Sequence, residues 1–241
     1  YYHHVDDASF IWQTTASYGA VERIKVEKAS ETVNASLSQD QKESSSTYNQ
    51  YGLWDTPHPD YVVELNASEE STLYQDVLTV PGTTLNWQLS HRARSMLGGD
   101  HVDEEYDTMY VIIAPVSVAE KHENEYQTWI QTLVNSYNPE VGNYLSTTDG
   151  RVYIHQISDP VAFSGILNRS NDTLWHDYSG SYEVDTNEYA TRFFFAAGST
   201  ASGNPTVGNL LDDITFSADI PDPDTDEVAI TGTKTVDIDT L

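Results

Sequence analysis

The chain has 241 residues, enough for one large β-sandwich or two small domains. It carries 38 Asp and Glu against 11 Lys and Arg, a formal net charge of -27. This charge argues against nucleic acid and anionic membranes as partners, because both would be repelled. Cysteine is absent, which excludes disulfide scaffolds, thiolate zinc sites and cysteine nucleophiles. No apolar run approaches the length of a membrane span.

Short segments rich in Tyr, Thr and other strand-forming residues recur along the chain, separated by turn signals such as Pro81-Gly82 and Asp149-Gly150. Regular short strands with polar turns predict an all-β sandwich or barrel rather than alternating strand–helix units. The predicted strands cover residues 19–27, 61–66, 72–78, 84–94, 108–114, 151–156, 179–184, 189–197 and 210–218.

Alternation within the strands predicts which side faces the core. In residues 84–94, one face carries Leu85, Trp87, Leu89 and His91, and the other carries Asn86, Gln88, Ser90, Arg92 and Arg94. A period of two places each set on one side of a sheet.

One segment departs from the β pattern. In residues 118–137, the apolar positions recur at helical spacing, which predicts a single amphipathic helix packed on the sandwich. These positions are Tyr126, Trp129, Ile130, Leu133, Val134 and Tyr137.

Other segments have the composition of loops and linkers. Residues 30–51 are polar and predict a mobile loop, and residues 138–175 are interpreted as an insertion. Residues 221–226 form an acidic linker, and the tail after it has the pattern of a first strand with no partner strands. We therefore expect one module at residues 1–219, followed at 220–241 by a linker and the first strand of a further domain that continues in a longer protein.

Five stretches together resemble a known family. The resemblance is to the galactose-binding-like jelly-roll modules, akin to carbohydrate-binding modules, of large surface proteins of Gram-positive bacteria. It spans most of residues 1–218 and implies a jelly-roll β-sandwich that binds a ligand, here with one accessory helix and loop insertions. The tail near Thr233-Lys234-Thr235-Val236 resembles the opening of the stalk domains that follow in such proteins, so 220–241 is interpreted as a linker and the first strand of a stalk domain. The stretches are Trp12-Gln13-Thr14-Thr15-Ala16; Glu64-Leu65-Asn66-Ala67 with Thr72-Leu73-Tyr74-Gln75-Asp76; Pro81-Gly82-Thr83-Thr84-Leu85 with His91-Arg92-Ala93-Arg94; Asp107-Thr108-Met109; and Gly208-Asn209-Leu210-Leu211-Asp212-Asp213-Ile214-Thr215-Phe216.

The resemblance also implies a structural calcium ion, held by an acid at the start of the last strand. Asp212 and Asp213 lie in a strand that is otherwise apolar, and an acid there is costly unless it is paired or bound to a cation. Carboxylate and carbonyl oxygens are the ligands that calcium prefers. A strand-end hydrogen bond without metal is the alternative.

Basic residues are scarce, yet several lie in or beside predicted strands. Arg92, Arg94 and Arg192, together with Glu64 and Asp107, are candidates for bidentate ion pairs that brace the sandwich or for hydrogen bonds to sugar hydroxyls.

Aromatic side chains in polar stretches are candidate sugar platforms, because a flat ring stacks on the apolar face of a pyranose. Trp54 is followed by His58 and Tyr61, and Trp175 by His176 and Tyr178. The predicted ligand-binding residues are therefore Trp54, His58, Tyr61, Arg92, Arg94 and Trp175. The alternative is that these rings are half-buried loop anchors.

The functional hypothesis is a non-catalytic module, monomeric within a longer cell wall-attached extracellular protein, that binds a host glycan or glycoprotein. Two alternatives stay open: an adhesin module that captures a host protein such as an immunoglobulin, and a structural stalk unit. An enzyme is disfavoured, because the carboxylate run Asp103-Glu104-Glu105 lies in a loop and no carboxylates pair across one strand as in glycosidases of this fold.

Overall fold

The computed structural model describes residues 2–4, 12–25, 61–66, 69–93, 96–97, 106–160, 163–164, 175–200, 206, 208–221 and 229–235. No helix among these residues is long and apolar enough to cross a membrane.

The strands are, in chain order, β1 Tyr2–His4, β2 Gln13–Thr14, β3 Ala20–Lys25, β4 Tyr61–Glu64, β5 Thr72–Leu78, β6 Thr84–Arg92, β7 Met96–Leu97, β8 Tyr106–Pro115, β9 Tyr144–Ser146, β10 Arg151–Pro160, β11 Phe163–Ser164, β12 His176–Glu183, β13 Ala190–Ala197, β14 Leu210–Pro221 and β15 Ala229–Thr235. Between β8 and β9 lie helix α1 Val116–Ala119, a 3₁₀ turn Glu120–Glu125 and helix α2 Tyr126–Ser136.

Most of the strands form two sheets. The front sheet has the order β1-β3-β4-β14-β6-β12, with β15 also paired to β14, and the back sheet has the order β2-β5-β13-β8-β10-β9. The short strands β7 and β11 pair with each other as a separate parallel ribbon. The two sheets enclose one apolar core, so the architecture is a β-sandwich.

The strand order identifies the topology as a jelly roll. The eight main strands are β4, β5, β6, β8, β10, β12, β13 and β14. Numbered along the chain, they lie in the order first, eighth, third, sixth in the front sheet and second, seventh, fourth, fifth in the back sheet. Neighbours within each set of four are antiparallel. This double Greek-key order confirms the predicted jelly-roll β-sandwich.

The interior of the sandwich is built from the faces that alternation predicted. Leu85, Trp87 and Leu89 of β6 are buried in the same cluster as Phe193 and Phe195 of β13. In β13, however, Phe194 is buried as well, because it faces the opposite side of the back sheet and packs against the helical segment. The back sheet is thus covered on both faces, which explains its continuous apolar runs.

Helix α2 covers the outer face of the back sheet, as the helical periodicity predicted. Its residues Tyr126, Trp129, Ile130 and Leu133 are buried against that face. The opposite side of the helix is polar and exposed, with residues such as Gln131. Because α2 covers the outer face of the back sheet, it leaves the outer face of the front sheet uncovered.

Two expectations about chain organisation were wrong. The tail was expected to lack a partner strand, but β15 pairs antiparallel with β14 from Thr215↔Thr235 to Pro221↔Ala229. It finds an edge there because β4 pairs with β14 only at Leu210 and Leu211. Residues 138–175 were interpreted as an insertion, but they contain β10, a long strand of the back sheet that pairs with β8. The expected loop at 30–51 lies outside the described residues.

Candidate functional site

The outer face of the front sheet carries polar side chains in rows that run across β14, β6 and β12. Residues directly opposite each other in an antiparallel sheet share a face. Opposite Asn86 of β6 lie Ser217 of β14 and Ser181 of β12, and opposite Gln88 lie Thr215 and Ser179. These two adjacent rows define what we call the polar groove: Ser217, Asn86, Ser181, Thr215, Gln88 and Ser179.

The polar groove is an open depression of about 380 Å³ on the sheet surface. Its four β6 and β12 side chains are exposed, and the two from β14 are half-buried. None of the six makes a side-chain hydrogen bond to another described residue. Every one is an uncharged amide or hydroxyl that both donates and accepts hydrogen bonds. The surface therefore offers a grid of neutral hydrogen-bonding groups to solvent.

The rows on either side of the groove differ, because their side chains bond to each other. On one side the Thr84 hydroxyl donates to Glu183 Oε1 at 2.9 Å. On the other side the Ser90 hydroxyl donates to Asp177 Oδ1 at 2.7 Å. Both carboxylates belong to β12, so the groove has an acidic residue beyond each of its two rows along that strand. The unengaged groups are thus confined to the two central rows.

A β-bulge in β14 places Thr215 and Ser217, two of the six groove residues, on the outer face of the sheet. Asp212 pairs with Ser90, but the next registered pair is Thr215 with Gln88, so β14 has one residue more than β6 over this stretch. Asp213 adopts a left-handed backbone conformation with φ 48°. The extra residue exchanges the two faces of the strand. As a result Ile214 and Phe216 enter the core, while Thr215 and Ser217 face outward.

A second polar cluster lies inside the sandwich, at the end where β6 and β12 meet β10. Asp159 is 2% exposed and its carboxylate contacts His91 Nδ1 at 2.6 Å and accepts a hydrogen bond from the Tyr178 hydroxyl at 2.5 Å. The other His91 nitrogen lies 2.9 Å from Asn209 Oδ1, and Asn209 donates to Asn66. Burial, with the hydrogen bond to Asp159, raises the pKa of Tyr178. His176 Nδ1 lies 2.9 Å from Asp159 Oδ1 as well. The cluster thus ties β6 and β12 to β10 through the Asp159 carboxylate.

The predicted ligand-binding residues are dispersed. Trp54, His58 and Arg94 lie outside the described residues. Tyr61 is the first residue of β4, opposite Lys25, and Arg92 at the end of β6 is 2% exposed. Trp175 is half-buried and directly precedes β12, the strand that provides Ser179 and Ser181. The assignment of these six residues as ligand contacts stays a prediction.

The predicted calcium ligands are close together but incomplete as a site. Asp212 is fully buried and its Oδ1 accepts the Asp213 backbone N–H at 2.8 Å. Calcium takes about six to eight oxygen ligands, and the described part of the chain brings no three Asp, Glu, His or Cys side chains together as metal ligands. The described donors alone therefore do not fit a calcium ion, and calcium binding stays a prediction.

Arg192 forms a bidentate ion pair, but its partner is Asp76, which lies outside the predicted set of Glu64 and Asp107. Arg192 Nε and Nη2 donate to the two Asp76 oxygens at 2.5 and 2.7 Å. The guanidinium also donates to the Tyr126 hydroxyl and lies against the Tyr74 ring. Burial lowers the pKa of Arg192, but the hydrogen bonds and charge of Asp76 outweigh that effect and raise it. The pair ties α2 to the back sheet, away from the groove. The Asp103-Glu104-Glu105 run lies outside the described residues.

The six groove residues are not among the predicted ligand-binding residues, although the sequence carries a signal for four of them. Alternation in β6 places Asn86 and Gln88 on the face opposite the core. In β12 the serines alternate in the same way, giving Ser179 and Ser181. Runs of Ser, Asn and Gln without charge on exposed strand positions are the pattern that marks the site. The β14 contribution carried no such signal, because the bulge changes which residues face outward.

Comparisons with known proteins found similarity only at the level of structure. No family model matches the chain, and no curated protein matches it. Among solved structures, a family 61 carbohydrate-binding module in complex with β-1,4-galactotriose is similar at 9% identity, with 85% of this chain and 86% of that one covered and a TM-score of 0.35. A family 4 carbohydrate-binding module is similar at 11% identity, with 82% and 94% covered and a TM-score of 0.36.

A larger protein with an appended catalytic module is also similar. It is the endo-1,4-β-D-xylanase 10B of Clostridium thermocellum, with CBM22-1 and GH10 modules, complexed with xylohexaose. The identity is 11%, the TM-score is 0.37, and the match covers 86% of this chain and 26% of that one. All three TM-scores lie below 0.5, and the jelly-roll assignment rests on the strand order of the chain itself.

Proposed function

We propose that this chain is a non-catalytic module that binds a glycan in the polar groove. One observation carries the proposal: two adjacent rows of amide and hydroxyl side chains make no hydrogen bonds to described protein groups, whereas the rows beside them pair internally through Thr84–Glu183 and Ser90–Asp177. Because these groups bond to water and not to one another, a ligand can take the place of that water without breaking hydrogen bonds within the protein, and the depression brings six such groups together.

Sugar chemistry matches this lining. Each sugar hydroxyl donates one hydrogen bond and accepts others, as do the hydroxyls of Ser179 and Thr215 and the amides of Asn86 and Gln88. Strands lie about 4.8 Å apart, and alternate residues on a strand about 6.8 Å apart. The six groups therefore form a grid that measures about 10 Å across the strands and about 7 Å along them, and the sheet holds this grid rigid.

The charge of the lining supports binding rather than hydrolysis. Glycoside hydrolysis requires a pair of carboxyl groups across the scissile bond, one of which protonates the leaving oxygen. The six groove residues supply hydrogen bonds but no proton donor of that kind. The carboxylates of Glu183 and Asp177 stand beyond the two ends of the grid and are each engaged by a hydroxyl.

The setting we propose is extracellular: a monomeric module of a surface-attached protein whose partner is a glycan or the glycan of a host glycoprotein. The acidic excess of the chain, with its net charge of -27, supports solubility in such a setting. The protein-capturing alternative rests on the segment 30–51, the helical segment 118–137 and the segment 138–175, of which 30–51 lies outside the described residues.

The test is a binding measurement with matched amide variants. Asn86→Ala combined with Gln88→Ala removes the central column of the grid. We expect this double variant to lose about tenfold or more in affinity for whichever soluble hexaose binds the wild type, because two hydrogen-bonding groups are lost together. The probes are the β-1,4-linked hexaoses of glucose, xylose, mannose and galactose, measured by isothermal titration calorimetry.

The control removes the same two side-chain types from the other side of the sandwich. Gln131 and Asn135 are exposed on α2, which covers the back sheet, so Gln131→Ala with Asn135→Ala should bind as the wild type does. Equal affinity of the two double variants would show that the groove is not the glycan site. Capture of a host glycoprotein that persists after enzymatic deglycosylation would favour the protein-binding alternative.

A further inference from the structure

We propose that β15 extends the polar groove, so that the ligand surface is four strands wide and includes Thr233 and Thr235. The inference rests on the proposed function of the groove and assigns further binding positions to it. Its basis is the register of β15 on β14, in which Thr235 lies directly opposite Thr215 and Thr233 directly opposite Ser217.

The two rows of the groove thus continue across a further strand without a break in chemistry. One row becomes Thr235, Thr215, Gln88, Ser179, and the other becomes Thr233, Ser217, Asn86, Ser181. Directly opposed residues of an antiparallel pair lie on the same face of the sheet. All eight positions hold an uncharged amide or hydroxyl residue.

The sequence of β15 has the alternation that such a surface requires. Counting back from Thr235, the positions on the groove face are Thr235, Thr233, Thr231 and Ala229, while Lys234, Gly232 and Ile230 occupy the positions of the other face. The only charged residue of the strand is therefore placed away from the groove face. Threonine at positions 233 and 235 combines a high strand propensity with a hydroxyl group in each of the two rows of the groove.

The added strand changes the size of the ligand that fits. Three strands span about 10 Å between their outer backbones, and four strands span about 14 Å. Because β15 follows the acidic segment after β14 in sequence, its docking also controls whether the wider surface exists. A ligand that contacts both strands holds β15 in place, so binding and docking are thermodynamically linked.

The experiment replaces the two hydroxyls with a side chain of the same shape. Thr233→Val with Thr235→Val keeps β-branching and hence strand propensity but removes both hydroxyl groups. Affinity for the tightest-binding of the four hexaoses should fall about five- to a hundredfold, the range for two hydrogen bonds. Thr231→Val is the matched control, since Thr231 lies on the same face but one row beyond the groove, opposite Asp219. It should leave affinity unchanged.

Two further measurements keep the result interpretable. Thr233→Ser with Thr235→Ser retains the hydroxyls and should retain most of the affinity. Hydrogen exchange of residues 229–235 should slow when the hexaose binds to the wild type, and should not respond to the sugar in the double valine variant. Equal exchange of these amides in the sugar-free proteins shows that β15 is still docked in the variant.

The outcomes separate the two proposals. If the double valine variant binds as tightly as the wild type while Asn86→Ala with Gln88→Ala loses binding, β15 is not part of the site and the three-stranded groove stands. If the Asn86 and Gln88 variant binds normally, the proposed function is wrong, and the extension over β15 is wrong with it.

Discussion

Gly180 lies directly opposite Trp87 in the ladder between β12 and β6, and the indole occupies the space where a side chain at position 180 would lie. A Cβ atom at Gly180 would be 2.6 Å from Trp87 Cζ2 and 2.8 Å from the Tyr153 hydroxyl. Ser179 and Ser181, the residues on either side of Gly180, are the β12 members of the polar groove. The close contact of indole and glycine therefore sets the position of this edge of the groove.

Gly180→Ala should destabilise the fold and weaken glycan binding together. The added methyl group overpacks the contact with Trp87, and overpacking of this kind typically costs about 1 to 3 kcal/mol in the free energy of unfolding. If β12 moves outward to relieve the contact, Ser179 and Ser181 move with it. Chemical denaturation measures the stability, and calorimetric titration with the hexaose measures the binding.

A double-mutant cycle identifies the cause. Trp87→Phe removes the ring atoms that the alanine methyl would meet, so Gly180→Ala should cost less stability in the Trp87→Phe background than in the wild type. Additive effects of the two changes would show that the indole does not determine the requirement for glycine at this position.

Much of the fold follows from local sequence signals. The strand at Thr72–Leu78 has the predicted bounds, and the inward set Leu85, Trp87 and Leu89 is buried as alternation predicts. The contrast between sheets is also encoded: the continuous run around Phe194 marks a sheet buried on both faces, whereas the alternation around Asn86 marks one with a polar outer face. These signals depend only on which face of a strand meets water.

The two groove residues from β14, Thr215 and Ser217, could not be predicted from the sequence in the same way. Strict alternation from Leu211 would place Thr215 on the core side and Ile214 outside, and only the one-residue bulge at Asp213 reverses this. Bulges depend on how two strands register against each other, which a single segment does not reveal. The pairing of β15 depends likewise on the edge that β4 leaves free on β14. Both features are non-local, and both shape the groove.

His155 should make the folded state less stable in mild acid. It packs at 5.3 Å from the Trp87 ring, and its Nδ1 is buried without a hydrogen-bond partner. Burial lowers the pKa of His155 below the ordinary value of 6.5. The unfolded chain therefore takes up this proton before the folded chain does, so the free energy of unfolding falls as the pH drops below 6.5 and the loss is complete only below the folded-state pKa.

The comparison that isolates this proton is His155→Gln against the wild type. Both proteins are unfolded with urea at several values between pH 4.5 and pH 8, and only the difference between them is used, which cancels the other titrating groups. Lost packing adds an offset that does not depend on pH, and the stability difference between variant and wild type should shift in favour of the variant as the pH falls below 6.5. A difference that does not change with pH would contradict the assignment.

Calcium should raise the unfolding temperature if Asp212 and Asp213 hold the ion that the family resemblance implies. Binding to the native state alone stabilises by mass action, about 2.7 kcal/mol at a hundredfold excess of ligand over the dissociation constant. Thermal unfolding in calcium, in magnesium and in EDTA tests this, and three identical temperatures would show that the two acids serve the bulge alone.

Asp213→Gly distinguishes a metal ligand from a backbone requirement. Glycine adopts the positive φ of 48° without steric cost, so the variant should be at least as stable as the wild type in EDTA. Any calcium-dependent rise in the unfolding temperature should shrink in this variant. Asp213→Val, a β-branched residue in the left-handed region, should instead lose stability in every buffer.

The groove should discriminate against anionic sugars. Glu183 and Asp177 each lie about 7 Å from the nearest groove position on β12, one residue pair along the strand. A uronate carboxylate bound midway between Ser179 and Ser181 would lie about 10 Å from each acidic position along the strand and would be repelled by each acid by about 0.4 kcal/mol at the dielectric constant of water. Together the two acids predict that a hexaose of glucose, mannose or galactose oxidised to the uronate at C6 binds about fourfold more weakly than the neutral hexaose at low salt. The discrimination should decline as salt is raised, because the Debye length falls to about 8 Å at 0.15 M and 3 Å at 1 M.

Glu183→Gln should reduce the discrimination against the uronate at low salt, whereas Glu140→Gln, which removes the same charge in the turn after α2, should leave it nearly unchanged. Equal or tighter binding of the uronate hexaose by the wild type would show that these carboxylates do not select the ligand.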